Sequence, residues 1–220
     1  MEELERAARV PEPIHPEGFN RDLELPYGLT VEHVQRAMQE YVDFLGLING
    51  QLHTKQFERL EVMLMPANFS SMVGEFMNSG IPKHCPTLVK NRYHNGHPDL
   101  LPVGRYEGDA AQHGTDGIEV KGSRDTGGWQ GHNPEKSWLM IFVFDSNRPS
   151  DILAEVPPRP FRFLAVLCAQ MELEDWNFSG RSEDSRRTPT AGTNRSGTAK
   201  LRKNWVYRAH REVPRALLLS

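Results

Sequence analysis

The chain has 220 residues, enough for one well-buried domain with at most a small appendage. Apolar residues make up 38% of it and mean hydropathy is −0.58, a polar but globular balance, and no run of eighteen apolar residues predicts a membrane span. Two cysteines, Cys85 and Cys168, exclude a disulfide framework. The acidic opening, Met1-Glu2-Glu3-Leu4-Glu5-Arg6, has no secretory apolar stretch, so the expected setting is reduced and cytoplasmic. The net charge of −3 is unevenly spread. Residues 181–220 carry ten Lys/Arg against three Asp/Glu, or +7, which leaves −10 for residues 1–180. A basic segment on an acidic body points to a polyanionic partner; the plainer alternative is a solvated tail.

Residues 1–28 hold four prolines and no clear period, which predicts an extended arm. Residues 29–220 then read as a single domain. Its helical part is 30–79, its core is 80–175, and a basic flexible segment with a closing strand fills 180–220. Thr30 is a good N-cap for a helix whose stripe is Val31, Val34, Met38, Tyr41, Val42, Leu45 and Ile48. Gly50 marks its end or a break. Residues 56–64 continue helical until Pro66 stops them. A further helix covers 68–77, with Phe69, Met72, Val73 and Phe76 on one side and Gly80 as its terminator.

The stretch 83–97 is polar and rich in turn residues. Cys85, His94 and His97 match no tetrahedral zinc spacing. Residues 104–116 suit a hairpin or loop. The Gly-rich run 122–132 reads as a mobile loop carrying Arg124, Trp129, Gln130 and His132. Residues 138–144 form a continuous apolar run, the mark of a strand buried on both faces. A proline-rich connector, 149–160, leads to a second core strand over 161–171. Residues 180–197 read as a flexible Ser/Thr/Arg/Gly loop, and Trp205-Val206-Tyr207 as the closing strand.

Two acidic points carry the chemistry. Asp99 follows Pro98. Twenty positions on, Glu119 and Lys121 flank Val120, with Ile118 before them. Side chains two apart on a strand share a face, so Glu119 and Lys121 point together while Ile118 and Val120 point into a core. With Asp99 alongside, two carboxylates could hold a hard divalent cation next to an ammonium. Each half has a plainer reading. Pro-Asp opens turns, and Glu with Lys on a wet strand face is ordinary charge pairing.

This pattern resembles the PD-(D/E)xK nuclease superfamily, which includes many type II restriction endonucleases. The resemblance covers Pro98 to Lys121 directly. It implies a restriction-endonuclease-like α/β (α+β) core: a mixed central sheet flanked by helices. It implies Mg2+, with Mn2+ able to substitute, held by Asp99, Glu119 and the Val120 carbonyl. Lys121 would position or activate the attacking water. Glu75, on the helix before Asp99, is the candidate for an additional acid. The implied partner is double-stranded DNA, and cutting both strands of a palindrome implies a homodimer. Candidate DNA contacts are Lys90, Arg92, His94, Arg124 and Gln130, with Arg186, Arg187, Asn194, Arg195, Lys200, Arg202 and Lys203 in a basic segment expected to order on DNA. Alternatives are a nuclease of this fold in repair or phage DNA processing, and a non-catalytic nucleic-acid-binding module. No GxSxG elbow supports serine hydrolysis.

Overall fold

A computed structural model describes residues 2–131, 134–178 and 191–209, with the single positions 214 and 217. In chain order the helices are α1 (Glu2–Ala8), α2 (Val31–Thr54), α3 (Leu60–Met63), α4 (Pro66–His84), α5 (Pro149–Leu153) and α6 (Arg195–Lys203). The strands are β1 (Leu88–Lys90), β2 (Leu100–Pro102), β3 (Ile118–Ser123), β4 (Gln130–Gly131), β5 (Trp138–Asp145), β6 (Arg162–Gln170), β7 (Trp176–Phe178), β8 (Ala191–Thr193) and β9 (Trp205–Arg208). Six strands form one mixed sheet in the order β1-β2-β3-β5-β6-β9. Only β3 and β5 run parallel; the other neighbours are antiparallel. A second sheet of three short strands has the order β4-β8-β7. The architecture is mixed α/β, compatible with α+β. No described helix is long and apolar enough to cross a membrane.

The large sheet is buried on both faces. Met140, Phe142 and Phe144 of β5 join a core with Val34, Met38 and Tyr41 of α2 and Phe69, Val73 and Met77 of α4. The alternate residues Leu139, Ile141 and Val143 join a separate core with Trp129, Leu164, Trp176, Ala191 and Leu201. A strand apolar at every position is what two covered faces require. Burying each phenylalanine contributes about 1.5–3 kcal/mol. Three layers result: helices, the large sheet, and α6 with the small sheet.

The helical region is longer and cut differently than its sequence suggests. Thr30 does cap α2: its Oγ1 accepts from the His33 amide, and the His33 ring accepts from the Thr30 amide. The helix runs through Gly50, where an added Cβ would meet nothing within 4 Å. Residues 56–59 are not helical. Gln56 takes a left-handed φ of 61°, and the chain turns to deliver Arg59 into the interior. There Arg59 donates to Glu5, Glu61, Asn147 and the Arg159 carbonyl. Pro66 starts α4 instead of stopping a helix, because a first-turn residue needs no amide hydrogen. Gly80 lies inside α4, where a Cβ would sit 3.4 Å from the Ala37 Cβ; it serves the contact between α2 and α4.

The N-terminal arm is tied to the β9 edge of the large sheet. The proline-rich arm begins as helix α1, and its extended part is bonded, with Glu12 donating to the Phe161 carbonyl and Asn20 to the Val206 carbonyl. Phe19 packs tilted against Tyr207, ring centroids 4.7 Å apart. At the C-terminal side, 191–193 form β8 and 195–203 form α6, so the predicted flexible loop is structured from residue 191. Its part before residue 191, including Arg186 and Arg187, lies outside the described residues, as does His132.

Two glycines give a test with opposite signs. A Cβ at Gly122, in β3, would stand 2.5 Å from the Ser70 carbonyl oxygen of α4. Gly122→Ala should destabilise the fold by about 1–3 kcal/mol, by forcing that helix off the strand. Gly50→Ala should stabilise it by about 0.5–1 kcal/mol, as for any open helix-interior site. Denaturant unfolding measures both; two shifts of the same sign would contradict this packing.

Candidate functional site

The Glu119/Lys121 pair owes its direction to β3. Ile118 and Val120 are buried in the helix-side core. Glu119 and Lys121 alternate to the other face, in register with Leu139 and Ile141 of β5. On its other side β3 meets β2, with Leu100 opposite Ile118. The approach there is close: a Cβ at Gly117 would lie 2.3 Å from the Leu100 carbonyl oxygen, and Gly117 has φ +147°. One residue beyond that register, the Val120 amide donates to Asp99 Oδ2 at 2.9 Å. The carboxylate thus takes the place of a strand acceptor, and Asp99 is no mere turn opener. The Val120 carbonyl projects to the same side as its amide, as in any strand.

Asn91 fixes the Asp99 segment. Its Nδ2 donates to the Pro98 and Ala111 carbonyls at 2.9 and 2.7 Å, and its Oδ1 accepts from the Tyr93 and Ala111 amides. Its own amide donates to the Asp99 carbonyl at 2.8 Å. The His97–Pro98 peptide is cis. Tyr106 pins the far end of the loop, its hydroxyl accepting from the Thr115 and Asp116 amides.

Asp99, Glu119, Val120 and Lys121 line one cleft of about 280 Å3, with Ser70, Ser71, Gly74, Glu75 and Asn78 of α4 across from them. Lys121 Nζ donates to Glu119 Oε1 at 2.9 Å. Glu119 Oε2 lies 2.9 Å from His97 Nδ1, and His97 is also 3.5 Å from Glu135. Burial, and then the Glu119 charge, push the Asp99 carboxyl up to about 7. Burial acts on Glu119 in the same upward direction, but the His97 hydrogen bond and the Lys121 charge outweigh it and hold Glu119 below the usual carboxylate range. Burial lowers Lys121 and His97, and Glu119 more than offsets that, so both sit above their ordinary values. One acid of the pair carries the charge and the other resists it, as expected of carboxylates crowded together. A larger concavity, about 880 Å3, lies between α1, the 56–59 connector and α5. Its two arginines, Arg9 and Arg59, both pair with Glu5, so the smaller cleft is the better candidate for chemistry.

The other sequence candidates are more scattered. Glu75 is 63% exposed on the cleft rim and pairs with Lys90 at 2.6 Å. Arg92 and His94 are exposed in the loop before Asp99. Arg124 is held inward: its guanidinium lies 4.9 and 4.8 Å from the Phe69 and Phe144 ring centroids and donates to the Pro66 carbonyl and Ser146. Gln130 is exposed on β4. Asn194 caps α6, Lys200 pairs with Asp175, and Arg202 donates to the Thr126 carbonyl. Arg195 and Lys203 remain exposed. Cys85 is buried among the helix-side core residues.

Sequence reasoning missed Asn78, Asn91 and Glu135, and weighed His97 only against a zinc spacing. His97 carried a signal, since it stands two residues before Asp99. Glu135 carried none, because a loop 16 residues after Glu119 has no period to read. Asn78 is buried in the cleft and its Oδ1 finds no hydrogen-bond donor. That orphaned oxygen, two acids and a backbone carbonyl are all hard donors, which suits Mg2+ or Mn2+. No family model, curated protein or solved structure matches the chain.

The Asp99 shift predicts a pH dependence. An acid bound more tightly to its proton in the folded state contributes stability that is complete below its unfolded value and is lost as pH rises through about 7. In chelator, Asp99→Asn should therefore melt higher than the unsubstituted protein at pH 8, by a margin that shrinks toward pH 4. Thermal unfolding across that range checks it, and a margin independent of pH would contradict the assigned burial and repulsion.

Proposed function

We propose that this chain is a divalent-cation-dependent endodeoxyribonuclease with a restriction-endonuclease-like core. The observation that carries the reading is the meeting of Asp99 with the Glu119-Val120-Lys121 strand through the 2.9 Å bond from the Val120 amide. It brings two acids, a strand carbonyl and an ammonium to one cleft. The mixed sheet with helices against it, and an Asp just before β2 beside a Glu-x-Lys on the adjacent strand β3, support the same reading.

Asp99, Glu119 and the Val120 carbonyl would hold Mg2+ or Mn2+. Such an ion supplies positive charge at a phosphate oxygen and at the leaving oxygen. Lys121 is cationic at neutral pH, since Glu119 raises its pKa. It acts as a donor, not a base: it orients the attacking water in line with phosphorus and offsets charge building on the phosphate. Glu119 holds that ammonium in place at 2.9 Å. The exposed Arg92, His94, Gln130, Arg195 and Lys203 are the side chains best free to meet duplex DNA. A type II restriction role, acting as a homodimer in the cytoplasm, is the form the motif resemblance favours.

Digestion of several long DNAs with Mg2+, followed by sequencing of the ends, tests activity and site preference together. Asp99→Ala, Glu119→Ala and Lys121→Ala should each lower cleavage at least about 100-fold while DNA binding stays within a few-fold. Cleavage retained by all three variants would overturn the assignment. Cutting at scattered positions would keep the nuclease and remove the restriction role.

A further inference from the structure

We infer that His97, Glu119 and Glu135 form a second cation position, one selective for a first-row transition ion of the Mn2+–Co2+–Zn2+ series over Mg2+. One ligand atom from each residue lies within 4.8 Å of the others. His97 Nδ1 is 2.9 Å from Glu119 Oε2 and 3.5 Å from Glu135 Oε2. Metal–ligand bonds of about 2.1 Å place neighbouring ligands about 3–4 Å apart, so the cluster needs little movement to close on an ion.

The three ligands come from separate segments, and each backbone is held independently. His97 donates its amide to the Gln112 carbonyl, and its carbonyl accepts from the Gly114 amide. Glu119 is within β3, paired to β5. The carbonyl of Glu135 accepts from the Trp176 indole at 3.0 Å. Side-chain exposure is 19% for His97, 14% for Glu119 and 19% for Glu135, so the site is recessed but open to an arriving ion. Pre-positioned ligands on tied segments are what a binding site has and a chance surface pair lacks.

Glu119 divides its two oxygens. Oε1 faces Lys121 and Oε2 faces His97, 2.9 Å from each. It can therefore serve the Asp99 position with one oxygen and the His97 position with the other. Glu119 and Glu135 both act electrostatically on the Lys121 ammonium, so the two carboxylates of the cluster stand close enough together to face one cation. The donor set decides which ion. Mg2+ prefers oxygen and keeps its waters, whereas an imidazole nitrogen favours ions toward the later end of the first row. Through Glu119 the second position rests on the nuclease reading, but its occupancy is measured without DNA.

The test uses the full chain, stripped with chelator and titrated with Co2+ while the visible absorption bands are followed. One band set should saturate in the unsubstituted protein and survive a tenfold excess of Mg2+. His97→Ala and Glu135→Gln should each weaken Co2+ binding at least tenfold, and Asp99→Asn should leave it within threefold. Displacement of Co2+ by equimolar Mg2+ from the unsubstituted protein would overturn the inference, even if the variants fail to fold. So would Co2+ affinity unchanged by loss of His97, the outcome if the imidazole merely ion-pairs with the two glutamates. Mg2+-driven DNA cleavage with no selective Co2+ site would sink this inference and spare the nuclease. Selective Co2+ binding with no cleavage under any cation would do the reverse.

Discussion

A single hydrogen bond organises the cleft: the Val120 amide donating to Asp99 Oδ2 at 2.9 Å. Where β2 and β3 part after Leu100 and Ile118, a half-buried amide needs an acceptor. Water would serve poorly there, and an unmet buried amide costs about 1–3 kcal/mol. Asp99 meets the need, and its carboxylate is thereby anchored beside Glu119. Asn91 makes the arrangement rigid by using both amide hydrogens and both oxygen lone pairs to tie Pro98 to Ala111 and Tyr93. The strand break and the site are one feature.

The rest of the fold serves to hold β3 at that break. Its parallel partner β5 is buried on both faces, clamped by helices on one side and by α6 with the small sheet on the other. Gly122 lets α4 press against β3, which brings Glu75 and Asn78 to the cleft opposite Asp99. Electrostatics follow from this crowding. Glu119, flanked by His97 and Lys121, keeps its charge, while Asp99, more buried from compensation, is pushed up to about 7. A divalent cation would relieve that opposition, which ties the cleft's strain to its proposed use.

Strands with strong patterns were legible in the sequence. The apolar run at 138–144 announced β5, and 161–171 announced β6, because two covered faces demand apolar residues at every position. The alternation at 118–121 gave the direction of Glu119 and Lys121. Helix limits were less legible. Pro66 and Gly80 have opposite meanings at a helix start, in a helix interior and at an end, and only packing against Ala37 or the first turn decides among them. The fate of 191–203 was hidden by composition: a polar, basic run became β8 and α6 because Ala191 and Leu201 reach a core formed by distant strands. Glu135 comes to His97 and Glu119 through tertiary folding alone, so no spacing could pair it with them. Arg124, a candidate DNA contact by sequence, lies with its guanidinium against the aromatic pair Phe69 and Phe144, a packing no local pattern announces.

Diffraction from crystals grown with Mn2+, recorded near the manganese absorption edge, examines the central claim most directly. An anomalous peak is expected about 2.1–2.4 Å from a carboxylate oxygen of Asp99, one of Glu119 and the carbonyl oxygen of Val120. Well-ordered crystals with no peak between those residues, or with the two acids turned toward different surfaces, would contradict it.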